Sequence, residues 1–269
     1  MLGRKGRLEK VCLLCQQEID RLGIELNRQE MVVVRQAQVI LSTMANVYLS
    51  PLLNRERFDV VVVEEAAMAV LLTLFYCAAL AQTKIIMVGD KRQLPPIIQS
   101  NSEYVNQAMG RNIFEATEGT ASNMVVMLEV QYRMHPVIGE MVSQLFYHGR
   151  LKHGKNAKER RTISDRRLFP GEQVQCRTVH RFQGNERDLV IFDTVDTAPM
   201  SPGILLAGDS PRSNAPNLLN VSLSRARGKL IIVADVTYFQ ANAAGRIIDQ
   251  VLNLAVKTGR RMPMLVANG

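Results

Sequence analysis

Long apolar runs and cysteine patterns are both scarce in this 269-residue chain. The candidate for a membrane segment, Ala66–Ala81 (AAMAVLLTLFYCAALA), carries no charge over sixteen residues, short of the roughly 20 that a span requires. It follows a strand-like run and two acids directly, so a buried helix of a layered α/β domain is the expectation. The four cysteines give no metal-ligand spacing. Cys12-x-x-Cys15 lies on a helical stretch with no second Cys pair or His pair to complete a zinc site. They read as spare thiols of a reducing compartment. The opening MLGRKGRLEK has basic residues but no apolar run behind them, so no secretion signal is read there. These absences leave a soluble protein as the expectation, cytoplasmic, or nuclear in a eukaryote.

What is present is an ordinary globular balance, 47% hydrophobic and 22% charged, enough to fill a core. At about 150 residues per domain the length suggests two domains. The net charge of +8 favours a polyanionic partner such as nucleic acid. The excess is uneven: between Gly149 and Arg187 there are eleven Lys or Arg against four acids.

Short β-branched runs alternate with helical stretches. Strands are predicted at Val39–Thr43, Phe58–Val63, Lys84–Val88, Val125–Leu128, Gln173–Thr178, Leu189–Val195 and Lys229–Ala234, and their continuous apolar character suits parallel strands buried on both faces. Helices are predicted near Leu8–Leu22, Ala66–Ala81, Pro136–Tyr147, Leu218–Arg227 and Ala241–Thr258. The alternation implies a doubly wound α/β architecture, in which ligands sit at the carboxyl ends of the strands. The basic stretch Lys155–Glu172 and the Pro-, Gly- and Ser-rich stretch Asp196–Pro216 read as loops or insertions.

Glu64 and Glu65 lie at such a strand end, in FDVVVVEEAAMA. Paired acids there can hold Mg²⁺ with one group and polarise a water with the other; they can also simply cap the helix that follows. After the next strand comes Gly89-Asp90-Lys91-Arg92-Gln93-Leu94-Pro95-Pro96. Its glycine permits a sharp turn, its prolines stop a helix, and Gln93 is a neutral donor and acceptor placed where a γ-phosphate could be felt. Three further strings follow in order: QYRMHP from Gln131, TVHRFQGNERD from Thr178, and NVSLSRAR from Asn220. The first and third present arginines able to stabilise charge on a transferring phosphoryl group.

In this order the strings resemble motifs II, III, IV, V and VI of the superfamily 1 helicases, closest to the 5′→3′ branch that contains the nonsense-mediated-decay RNA helicase and its DNA-acting relatives. VILST (Val39–Thr43) is similar to motif Ic, and the resemblance runs from about Val34 to Phe239. It implies two RecA-like P-loop NTPase domains with parallel sheets that close around ATP and reopen on hydrolysis, advancing along a single strand of DNA or RNA. It further implies that Glu64 coordinates Mg²⁺, Glu65 orients and activates the attacking water, and Gln93 senses the γ-phosphate. Tyr132 would lie against the adenine, and Arg133 would reach the γ-phosphate from the second domain. Gly184 and Glu186 would meet the ribose and phosphates, Arg225 would be the arginine finger, and Arg227 its support on the same helix. Thr43, Pro95, Thr178 and His180 would line the nucleic-acid channel.

The chain departs from that family's pattern in three ways. No G-x-x-x-x-G-K-[ST] phosphate loop precedes the Glu pair. The near match Gly149-x-x-x-x-Gly154-Lys155-Asn156 lacks the Ser or Thr, follows no strand, and matches the family's F-Y-x-G-x-L tail instead. Only about forty residues separate His135 from Thr178, where the family has a further strand and helices. Motif II opens with Glu64 in place of Asp, and the extra methylene moves the carboxylate by ~1.5 Å where catalytic placement tolerates ~0.5 Å. The expectation is therefore a partial first RecA-like domain over 1–124 and a shortened second over 125–269, each sheet short of strands. The function read from this is an ATP- and Mg²⁺-dependent helicase or translocase, the C-terminal part of a longer or split enzyme whose other part supplies the phosphate loop. The alternative is a catalytically inactive, nucleic-acid-binding or regulatory remnant of one.

Overall fold

The computed structural model describes residues 2–117, 124–158, 175–182, 184–208 and 213–262. They fall into two compact units. The first is Met1–Glu64 with Val70–Val88, and the second is Glu65–Ala69 with Gly89–Gly269. Within the predicted loop Lys155–Glu172 a helical turn forms over Lys155–Lys158 and the remainder lies outside the described residues. Of the predicted strand Gln173–Thr178, residues 173–174 lie outside them and residues 175–178 form no strand. Gln183 lies outside as well.

The first unit opens on α1 (Leu2–Gln36), which runs well past the predicted Leu22. Strong helix formers on both sides carry it through Gly23, whose cost in a helix is about 1 kcal/mol. Pairs three and four apart add support: Glu18 accepts from Arg21 at 2.7 Å and Glu25 from Gln29 at 2.8 Å. Cys12 and Cys15 are free and exposed on this helix. The predicted strand Val39–Thr43 does not form. Val39 and Leu41 are exposed, and β propensity without a neighbouring strand gives no ladder. Thr43 instead caps α2 (Met44–Leu49), accepting from Asn46 N at 3.2 Å.

Strand β1 (Phe58–Val63) forms as predicted and pairs in parallel with β2 (Ala81–Met87), Val61 opposite Ile85. The apolar stretch between them is not one helix. A 3-10 turn (Ala66–Met68) comes first, then Val70 in extended conformation, then α3 (Leu71–Ala79). Leu74 and Cys77, one turn apart, bury the face of α3 that lies on the strand pair. No helix among the described residues is long and apolar enough to cross a membrane.

The second unit continues with α4 (Glu103–Met109), α5 (Ile113–Ala116), β3 (Val130–Gln131), α6 (Pro136–Phe146), β4 (Lys152–His153), α7 (Lys155–Lys158) and α8 (Val179–Phe182). Then come β5 (Arg187–Asp193), α9 (Ile204–Ala207), α10 (Ala215–Ser224), β6 (Ala226–Val233), α11 (Val236–Asn242) and α12 (Ile247–Thr258). Val125–Leu128 is exposed and forms no strand; pairing starts at Val130, which lies parallel to Lys152. β5 and β6 pair in parallel, Ile191 opposite Ile231. Among the described residues each strand pair is its own two-stranded parallel sheet, in place of the doubly wound sheet expected, and helices connect the strands as in an α/β fold. The core of the second unit is α10, buried from Leu218 to Ser224 and packed by α6, α9 and α12. Pro136 at the first turn and His135 as cap start α6 at its predicted residue.

Leu219 is fully buried at the centre of this core. Leu219→Ala is expected to cost about 2–5 kcal/mol, checked by urea unfolding; a loss below about 1 kcal/mol would place the core elsewhere.

Candidate nucleotide site

In the second unit the loop after Val88 is anchored from both ends. Gly89 passes so close to the 3-10 turn that a Cβ there would sit 2.9 Å from the Ala67 nitrogen and 2.8 Å from the Phe114 ring. Five residues on, Leu94 is buried in the core. Between these anchors Asp90 turns the chain, accepting from Arg92 N at 2.9 Å through Oδ1 and from Gln93 Nε2 at 3.0 Å through Oδ2. Gln93 then accepts from Arg225 Nη2 at 2.8 Å. Residues 132 apart in sequence therefore meet, motif III against motif VI.

Arg225 caps α10 and is 2% exposed. Among the described residues its side chain donates to the neutral Gln93, and its Nε has no partner. No ion pair holds it among the described residues. Burial first, and then the neighbouring Arg133 charge, pull its guanidinium below the usual arginine range; Glu65, Tyr147 and Asp90 oppose them. A buried cation without a counter-ion costs several kcal/mol, and a second cation beside it adds to that cost. Such an arrangement is built to receive an anion.

A second cluster lies around Glu186. Arg133 Nε donates to it at 2.6 Å and Arg227 Nη1 at 3.2 Å, while Arg227 Nε reaches Asp188 at 2.7 Å. Burial works to raise the Glu186 carboxyl, but Arg133 and then Arg227 together hold it below its ordinary value. Arg227 stands on β6, not on the helix with Arg225 where the sequence placed it. The ladder with β5 takes over at Ala226, opposite Arg187, whose N–H donates to Arg225 O, and this ends α10.

The turn carrying Tyr132 and Arg133 is held by Gln131. Its Oε1 accepts from Arg133 N at 2.9 Å and Met134 N at 2.8 Å, and its Nε2 meets Met134 O at 3.0 Å and His153 Nδ1 at 2.8 Å. Tyr132 is 58% exposed and, with Gln131, Arg133, Met134 and Glu186, lines an open cleft of about 460 Å³. Its ring lies against Gly154, where a Cβ would fall 2.1 Å from Cε1. That glycine of the near-match string therefore serves as the seat of Tyr132.

Glu65 is exposed and adopts the left-handed conformation, φ 53° and ψ 35°, at the start of the 3-10 turn. Glu64 ends the first unit and is exposed. Gly184 has φ 80° and an exposed backbone. Pro95 is half-buried next to Leu94. Thr178 and His180 are exposed at the start of α8, where the Thr178 carbonyl accepts from Phe182 N. Thr43 is in the first unit. Four residues with structural parts in the site were given no role from sequence: Asp90, Gln131, Tyr147 and Asn220. All four stand inside or directly beside the motif strings, so position was a signal, but their partners were not readable.

Two AAA-domain family models match the chain, one over residues 7–101 and the other over 109–170 and 162–237. Helicase sen1 of Schizosaccharomyces pombe is 31% identical over 88% of this chain and 18% of its own length. The regulator of nonsense transcripts 1 homolog of Neurospora crassa is 30% identical over 51% of this chain and 12% of its own. The mouse 5′-3′ DNA helicase ZGRF1 is 33% identical over 49% and 7%. The chain thus spans less than a fifth of the length of these relatives. With the AAA-domain matches across most of its length and its motif residues meeting in the second unit, the chain belongs to the AAA-type P-loop ATPases of helicase superfamily 1.

Proposed function

We propose that this chain carries the catalytic and nucleic-acid-binding motifs of an ATP-dependent helicase or translocase acting on single-stranded DNA or RNA. The supporting observation is Arg225: a buried guanidinium, in no ion pair among the described residues, with Arg133 nearby and the Gln93 amide against it. The donor set fits a nucleoside triphosphate, since orphaned arginine N–H groups match phosphate oxygens. Glu64 offers the hard oxygen ligand that Mg²⁺ takes alongside waters and substrate phosphates. Mg·ATP, when bound, supplies the phosphoryl group whose transfer drives the motor.

The chain's own groups then have the following work. Glu65 orients the attacking water and accepts its proton. Gln93 reports the γ-phosphate, and Arg225 stabilises charge as that group departs. Tyr132 packs on the base, and Arg133, released from Glu186, turns to the phosphates. Gly184 offers backbone to the nucleotide, Glu186 the ribose contact, and Arg227 steadies Glu186. Thr43, Pro95, Thr178 and His180 belong to the strand channel. Residues 1–124 are the first RecA-like domain and 125–269 the second. A separate chain bringing the phosphate loop would complete the site.

Because these 269 residues hold no G-x-x-x-x-G-K-[ST] string, nucleotide binding is the first readout and turnover the second. Titration with fluorescent ATP and ADP in Mg²⁺ is expected to show a preference for the triphosphate that Arg225→Ala removes. Equal affinity for ATP and ADP in the unmodified chain would overturn the reading. Strand binding, measured by anisotropy on a labelled oligonucleotide, should weaken roughly fifty-fold between 50 and 200 mM salt if about four phosphates are neutralised. Gly154→Ala is expected to push Tyr132 off its seat and weaken ATP and ADP alike by roughly tenfold, the scale of one lost base stack. An unchanged affinity would remove Tyr132 from the base site.

A further inference from the structure

Asp90, Tyr147 and Asn220 join the Gln93–Arg225 contact into one hydrogen-bonded ring, and none of the three has a role in the reading above. Starting from α10, Asn220 Nδ2 donates to the Tyr147 hydroxyl at 2.8 Å and to the Arg92 carbonyl at 2.8 Å. The Tyr147 hydroxyl donates to Asp90 Oδ2. The same oxygen accepts from Gln93 Nε2 at 3.0 Å, and Gln93 Oε1 accepts from Arg225 Nη2 at 2.8 Å. Arg225 and Asn220 leave the same helix five residues apart, which closes the ring.

The polarity of this ring is fixed by chemistry. A glutamine amide has one accepting and one donating end, and the two have nearly the same shape. Only the oxygen can face Arg225, because the amide nitrogen would set donor against donor. Asp90 enforces that choice, its Oδ2 accepting from the amide nitrogen. Asp90 is itself pinned by Tyr147 from one side and the Arg92 N–H from the other. Tyr147 caps the end of α6, packs against the core, and stays protonated: burial first, and then the Asp90 charge, push its phenol far above the ordinary range. It is thus a permanent donor. Asn220 Oδ1 and the Arg225 Nε of the guanidinium itself remain without partners.

We propose that Tyr147 is a positioning residue that, acting through Asp90, fixes the orientation of the Gln93 amide and so holds Arg225 aimed for the γ-phosphate. The inference rests on the nucleotide-site reading and adds the device that sets triphosphate against diphosphate recognition. Removing the Tyr147 hydroxyl frees Asp90 to rotate and the Gln93 amide to flip. Contacts to the base and to the phosphates that ADP shares are untouched.

The test is fluorescent ATP and ADP binding by the 269-residue chain carrying Tyr147→Phe, Asp90→Ala, both together, or Arg225→Ala, with thermal unfolding of each. Tyr147→Phe is expected to lower the ATP-over-ADP preference about tenfold while ADP affinity stays within twofold. Asp90→Ala should produce a similar loss, and the double variant no more than the larger single loss, since both act along one path. If Arg225→Ala abolishes the preference and Tyr147→Phe keeps it within twofold, the positioning role falls and the site reading stands. If Arg225→Ala leaves the preference intact, both fall. Additive losses in the double variant also overturn the shared path. Should Tyr147→Phe not fold, Asp90→Ala decides alone, and a retained preference there refutes the proposal.

Discussion

Arg225→Ala is expected to lower strand-stimulated ATP turnover by about three orders of magnitude or more, the scale of an arginine finger, and to do so without destabilising the nucleotide-free protein. The two halves of this result have one cause. Arg225 is buried beside a neutral amide and a second arginine, with no carboxylate bonded to it. In the absence of an anion its charge is a standing penalty; in the proposed transition state the same charge would face the departing phosphoryl group. An apolar residue of similar length should relieve the penalty. Arg225→Met is therefore expected to raise stability by about 1–3 kcal/mol, read by urea unfolding without nucleotide, while turnover stays lost. A variant that lost both stability and turnover would make Arg225 a structural residue whose charge is satisfied in the fold.

Glu65→Gln is expected to lower turnover by about 10²–10⁴, the usual contribution of a general base, with nucleotide and strand affinity unchanged. Its structural signature is the left-handed backbone at φ 53°, which costs a side-chain-bearing residue about 1 kcal/mol or more. Glycine takes that conformation without the penalty. Glu65→Gly should therefore melt higher than the unmodified chain, and yet be as inactive as Glu65→Gln. Turnover surviving in both variants would assign the water to another group; a Glu65→Gly chain that melts lower would mean that the carboxylate itself ties down the 3-10 turn.

The family motifs were legible in the sequence because each depends on residue type at short range. The paired acids after an apolar strand, the glycine and prolines around Gln93, and the arginines of QYRMHP and NVSLSRAR each carry their meaning within a few residues. The parallel strands β1, β2, β5 and β6 were legible for a similar reason, as unbroken apolar runs. Exposed runs of the same composition, at Val39–Thr43 and Val125–Leu128, misled because a strand exists only where a second one lies beside it. Likewise the uncharged stretch from Ala66 gave no sign that Glu65 and Val70 would break it into a turn and a shorter helix.

What the sequence by itself determined is the set of chemical groups and the α/β layering that carries them. Tertiary structure alone decided which groups touch. Arg227 became a strand residue because the β5–β6 ladder claims the chain at Ala226. The ring from Asn220 through Tyr147, Asp90 and Gln93 to Arg225 joins side chains 57, 73 and 132 residues apart. Hydrophobic periodicity records which face of an element is buried, not which distant loop will meet it, and such meetings are set by how the core around α10 packs.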